Sequence, residues 1–325
     1  SLYDKEKYAE AEPYYRTNLA WRQKHRSTDY DGLILGTSNL AICLGKLNRY
    51  AEAVPYYKES ATMKKAVYGA DDERTMQALV SLGGTHILAG KPHLNLATRH
   101  IALQHFAEAI EPLSRAAEWT RTKNGPNVEI TIAWVQILGD AYFGLGKLGE
   151  AKTCRSEVLL ACEHLFGPYH GKTHHAVTQM RDVEMESGEF ANAETYAVRE
   201  MECLQREGAD KQRMIEQAYV LGICRVQQGK YAEAAQDVAV CFAWKKEHLG
   251  LANHATIRTG YWHARCLEAF ESYGAAVEHY ELVVGWKGDV PPTWTKFQDD
   301  AKERLESCRR QAAMHGNIGK LKFSE

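Results

Sequence analysis

The sequence has no long apolar run. A membrane-spanning helix needs about 18 or more consecutive apolar residues, and no such stretch occurs among the 325 positions. The opening residues Ser1-Leu2-Tyr3-Asp4-Lys5 carry no apolar signal-peptide core. Charge of one sign is also lacking: 40 Lys and Arg stand against 42 Asp and Glu, a formal net charge of −2. The basic residues are interspersed with acids and form no stripe with stacked aromatics, which argues against nucleic acid or an anionic membrane as partner. The eight cysteines are scattered and include no Cys-x-x-Cys pair. Most lie among helical apolar residues, so they read as buried, reduced thiols of a cytoplasmic protein. Signatures of catalysis are missing too. There is no Gly-x-Ser-x-Gly, no P-loop, no His-Glu-x-x-His and no dinucleotide fingerprint. No catalytic residue and no cofactor is therefore assigned, and the reading leans to binding over catalysis.

What the sequence has is a repeat. An aromatic or Leu, a small residue, a polar residue and Ala recur as Tyr8-Ala9-Glu10-Ala11, Tyr50-Ala51-Glu52-Ala53, Phe106-Ala107-Glu108-Ala109 and Leu148-Gly149-Glu150-Ala151. They return as Phe190-Ala191-Asn192-Ala193, Tyr231-Ala232-Glu233-Ala234 and Tyr273-Gly274-Ala275-Ala276. The spacings are 42, 56, 42, 42, 41 and 42 residues, so one unit carries 14 extra residues. A second marker keeps step: Gly69/Thr75, Gly125/Thr131, Gly167/Thr173 and Gly250/Thr256, each pair six apart. The Gly suits a helix C-cap and the Thr the start of the next helix. Between the markers, Val135, Leu138, Gly139 and Tyr142 follow the i, i+3, i+4, i+7 spacing of an amphipathic helix. Each unit thus reads as helix A, a tight turn, helix B and a Gly-containing loop. Small residues on A (Ala41, Gly83, Gly139, Gly222, Ala264) face small residues on B, so the pair approaches closely.

These residues resemble the tetratricopeptide repeat, and the 42-residue period with its Gly…Thr linker looks like the kinesin-light-chain-like branch. The resemblance covers Tyr3 to Leu305 and implies an all-α fold: a right-handed α-solenoid of antiparallel helix pairs. The expected layout is one solenoid over 1–310. A half repeat occupies 1–29, six full repeats occupy 30–286, and a polar capping helix follows Pro291-Pro292 at 293–310. A flexible tail, 311–325, completes the chain. Since Tyr8 already starts a helix B, the chain reads as a fragment of a larger receptor or scaffold, or as one with an unusual cap. Pro13 and Pro55 predict a late helix start or a slight bend.

The additional residues fall at 92–105 and are expected to lengthen helices A and B; the alternative is a binding or self-association element, a role also open to the first helix. His86, His93 and His100 recur seven apart, with His105 after them. Pro92 interrupts that helix and no Cys or paired carboxylate completes a set, so no metal is expected.

Carried over position by position, the family's concave helix-A surface would present Gln136, Asp140 and Phe143 in the third unit and His175, Asp182 and Met185 in the fourth. Glu216 and Tyr219 follow in the fifth, and Arg258, Tyr261 and Arg265 in the sixth. Arg and Tyr anchor interfaces, and two arginines at i, i+7 suit a carboxylate or phosphate. The competing expectation pairs Arg265 with Glu268 on a solvated face. The asparagines that such repeats carry on helix A are nearly absent. Arg181 and Glu184 break the fourth unit's pattern and are expected to pair with each other, or Glu184 with Arg225. The resemblance therefore implies a module that holds a partner peptide or helix in its groove. The alternative is a small-molecule or catalytic pocket around His175, Asp182, Tyr219 and Arg258.

Overall fold

The computed structural model describes residues 2–25, 30–90, 99–287 and 292–322. Every element among them is an α-helix. The chain divides into two compact units, Ser1–Ala176 and Val177–Glu325, where the sequence reads as one array.

The first unit holds α1 (Leu2–Lys24), α2 (Tyr30–Lys46), α3 (Tyr50–Tyr68), α4 (Glu73–Gly90), α5 (Arg99–Asn124), α6 (Glu129–Gly144) and α7 (Leu148–Phe166), with the start of α8 (Gly171–Glu186). The second holds the rest of α8, then α9 (Phe190–Glu207), α10 (Lys211–Gln227), α11 (Tyr231–Leu249), α12 (His254–Ala269), α13 (Tyr273–Gly285) and α14 (Pro292–Lys322). Within each unit a helix packs on its successor, and a few touch the next but one, as α4 does α6 and α12 does α14. That is the packing of an α-solenoid, in which each pair buries the apolar face of its neighbour.

The A-to-B turns share one mechanism. Gly146, Gly188 and Gly229 take positive φ, and the following N–H donates to a carbonyl five residues back: Lys147 to Tyr142, Glu189 to Glu184, Lys230 to Arg225. This is the six-to-one bond of a Schellman cap. Asn48 (φ 61°) and Glu271 (φ 57°) fill the same place without being glycine. The B-to-A linkers explain the second marker. Gly69, Gly125 and Gly167 have positive φ, and the Thr hydroxyls donate back to their carbonyls at 2.8, 2.8 and 2.7 Å. The Thr is the third residue of its helix, not its cap, and is fully buried. In the fourth linker Thr256 donates to Lys245 O instead, at 3.3 Å.

The small residues do what their size predicts. A Cβ on Gly83 would lie 2.4 Å from Leu113 Cγ, and one on Gly222 2.8 Å from Val238 Cγ2. The prolines do not delay their helices: α1 and α3 run through Pro13 and Pro55. The first helix is one continuous element through Tyr8, and α14 extends past the expected cap into the expected tail. Of the 92–105 insertion, residues 92–98 lie outside the described residues, and α5 begins at Arg99.

All eight cysteines are buried and unpaired. Burial pushes Cys154, Cys224, Cys266 and Cys308 up to about 11. No helix among the described residues is long and apolar enough to cross a membrane.

Candidate functional site

In the first unit Gln136 and His175 line a cavity of about 310 Å³ together with Ile132, Ala133, Phe166 and Lys172. His175 itself is exposed. The Lys172 ammonium is engaged on both sides, 2.9 Å from Glu129 Oε1 and 4.7 Å above the Phe166 ring. Asp140 and Phe143 have a structural partner. The Arg155 guanidinium, on a residue 5% exposed, stacks 4.1 Å over Phe143 and lies 3.6 Å from Asp140 Oδ1. Asp140 also borders a second, mostly apolar cleft of about 400 Å³ formed by Tyr57, Val80, Gly84, Leu88 and Ile137.

In the second unit the expected groove residues divide by burial. Asp182 is held by Arg181 at 2.7 Å. The Cys224 thiol lies 3.3 Å from Met185 Sδ. Glu216 is exposed and accepts from Gln212 at 3.2 Å. Tyr219 is buried with the Lys245 ammonium 4.2 Å above its ring. Burial raises its phenol pKa and the positive charge of Arg258 opposes that. Tyr261, expected to face a ligand, lies in the core. Its ring meets Trp262 and Phe297 edge-on and its hydroxyl donates to Asp300. Burial and then Asp300 raise its pKa. Arg258 is exposed.

Arg265 is the predicted residue with the most to offer a ligand. It lines an open pocket of about 330 Å³ with Tyr231, Glu268, Tyr273, Arg304 and Ser307. Of its five N–H donors, one reaches Tyr261 Oη at 3.4 Å and another Tyr231 Oη at 3.3 Å. Among the described residues no carboxylate pairs with it. The expected Arg265–Glu268 pair is absent because Glu268 is taken: it accepts from Tyr280 Oη at 2.8 Å and from Arg304 at 3.0 Å. Asp300 holds the other side of Arg304 at 2.7 Å. Two carboxylates thus neutralise Arg304, while Arg265 has only phenol oxygens. Burial works against its charge, and the tyrosine hydroxyls outweigh it to keep the guanidinium protonated.

The polar seam in the fourth unit is arranged otherwise than expected. Arg181 pairs with Glu200, not Glu184, and Arg225 pairs with Glu194 and Asp237. Glu200 is 1% exposed and also accepts from Thr178 and, at 2.8 Å, from Gln217. Sequence reasoning missed it, although Ala193, Ala197, Glu200 and Leu204 share one stripe, and an acid on an apolar stripe signals a buried partner. Asp300 and Arg304, spaced i, i+4 on α14, were legible only as capping-helix charge.

Residues 1–66 and 33–94 match the tetratricopeptide repeat family. No curated protein matches the chain. Among solved structures, BtubC (BKLC) from P. vanneervenii is similar at 14% identity and TM-score 0.51, over 75% of this chain and 92% of that one. The apo form of RapI is similar at 8% identity and TM-score 0.50, over 92% and 80%. The Podosopora anserina putative kinesin light chain with nearly identical TPR-like repeats shows 13% identity and TM-score 0.35, over 77% and 92%. At such identities the likeness is one of fold.

Proposed function

Starting from a chain that is a tetratricopeptide-repeat protein with the 42-residue unit of the kinesin-light-chain type, we propose that it is an interaction module. It binds a partner peptide or helix, and the partner presents a carboxylate to Arg265. The observation that carries this reading is a half-buried guanidinium that lines an open pocket and, among the described residues, pairs with no carboxylate. Charge-assisted bonds from such a group are about twice as strong as neutral ones. The rims of Tyr231 and Tyr273 supply the aromatic contact that interface anchors use. The apolar cleft beside Val80 and Ile137 offers room for partner side chains in the first unit.

The test is a peptide array probed with the purified chain, each peptide made with free acids and with the same acids amidated. Binding of the free-acid set, with affinity falling at least about tenfold in Arg265→Ala and partly restored in Arg265→Lys, supports the reading. Equal binding of acid and amide peptides, or no effect of Arg265→Ala, overturns it.

A second reading, a small-molecule pocket, is favoured by the part-enclosed cavity at His175, whose size is at the low end for ligand sites. A metabolite that co-purifies with the chain and is displaced in His175→Trp would favour it over the first.

A further inference from the structure

Helices α4 and α5 approach closely at two points on one face of α4. Besides Gly83 against Leu113, a Cβ on Gly90 would lie 3.2 Å from Ala102 O and 3.3 Å from His105 Cβ. Between them on that face sits His86, three residues after Gly83 and four before Gly90. It is 5% exposed. Its Nδ1 lies 3.3 Å from His105 Nδ1 and 3.3 Å from Glu108 Oε2. His105 and Glu108 are i, i+3 on α5 and so share a face. The three ligand atoms all lie within 4.8 Å of one another. Glu108 is oriented from outside the cluster: Gln104 donates to its Oε1 at 3.0 Å, leaving Oε2 toward His86.

A plain hydrogen bond accounts for this poorly. An N–H···N contact at 3.3 Å is longer than the usual range of about 2.7–3.2 Å. The same ring nitrogen faces a carboxylate oxygen at the same distance, and it holds one proton or one lone pair, not one of each. A tetrahedral ion with bonds of about 2.0–2.1 Å sets its ligand atoms about 3.3–3.4 Å apart, which is the spacing from His86 to each of its two partners; His105 and Glu108 lie within 4.8 Å of each other and would close in on the ion. Two imidazoles and one carboxylate are the donor set of zinc-class ions, whereas calcium and magnesium take oxygen. Burial also lowers the pKa of His86, aided by the charges of His105 and Lys58 and opposed by Glu108. That favours the neutral ring a metal needs.

We propose that His86, His105 and Glu108 form a three-ligand site for a divalent ion of the zinc class, open at its fourth position to water or to a partner's side chain. The carboxylate that the histidine spacing lacked in the sequence is Glu108, part of the repeat's own Phe106-Ala107-Glu108-Ala109 phrase. The ion would tie the end of α4 to the start of α5 across residues 91–98, a staple at the root of the insertion.

The test uses the full chain stripped with a chelator and titrated with zinc sulfate by calorimetry, with magnesium sulfate as control. The expected result is one zinc ion per chain, a rise in melting temperature with zinc and none with magnesium, and affinity about tenfold or more weaker in His105→Ala and in Glu108→Gln. Glu108 is exposed, so Glu108→Gln keeps the fold, and its circular dichroism should match the parent's. No stoichiometric zinc binding by the parent chain overturns the proposal. So does zinc binding unchanged in the double variant His105→Ala/Glu108→Gln, which would place the ion at other histidines.

Discussion

At Glu271 the backbone takes the left-handed turn conformation that Gly146, Gly188 and Gly229 take in other units. A residue with a Cβ loses about 1–2 kcal/mol there relative to glycine. Glu271→Gly should therefore stabilise the chain by about 0.5–1 kcal/mol, after the greater freedom glycine gives the unfolded state, as read from urea unfolding. The same substitution at an ordinary helical position such as Glu278 should destabilise by a similar amount. Single residues also mark where the sequence was hard to read. Tyr261 occupies a helix-A position that the family leaves open to ligand, and helical spacing assigned it correctly to its helix. Its burial comes from α14, whose Phe297 and Asp300 close over it. Nothing in the repeat fixes where a capping helix will lie, so the repeat could not reveal it.

Among elements, two contacts set the strongest expectations. The first is the Arg181–Glu200 pair between α8 and α9, buried and completed by Thr178 and Gln217. Removing one member of such a pair leaves a buried charge. Glu200→Ala should cost about 3–5 kcal/mol, and the double change Arg181→Met/Glu200→Leu much less, as equilibrium unfolding would show. The second is the histidine pair between α12 and α13. His279 Nδ1–H donates to Ala275 O at 3.0 Å, so its Nε2 accepts from His263 Nδ1–H, also at 3.0 Å. Burial, then His279, lowers His263 to about 4, and burial lowers His279, with Glu278 opposing and Lys246 adding. Both folded pKa values lie below the unfolded value of about 6.5. The unfolded chain then binds protons first as pH falls, and stability present above that pH is lost on the way down toward about 4. Between pH 7 and 5 the His263 share of the loss is at most about 2 kcal/mol. The fall in melting temperature over that interval should shrink in His263→Asn. The helices and the Gly…Thr linkers were legible because both are local. These inter-helix pairs were not, since each depends on which side chain of the next helix faces it, and several acids compete for each arginine.

Within each of the two units, a helix rests mainly on its chain neighbours. Solenoids with such contacts hold together through nearest-neighbour terms, so damage should stay local. Gly222→Ala, which forces a methyl against Val238, should cost about 1–3 kcal/mol. Amide exchange should then speed up in α10 and α11 while α2 and α3 keep their protection. A global loss of protection across all helices would show a more cooperative molecule than these contacts imply.

The buried thiols give that locality a clock. Cys43 reports on α2, Cys154 and Cys162 on α7, and Cys203, Cys224, Cys241, Cys266 and Cys308 on α9 through α12 and α14. None lies in α4 or α5. Each thiol meets an alkylating reagent only when its own helix pair opens, so the order in which the eight are modified would be a fingerprint of where the array comes apart first. The α4–α5 pair, which holds His86, His105 and Glu108, carries no thiol and would stay silent in that record.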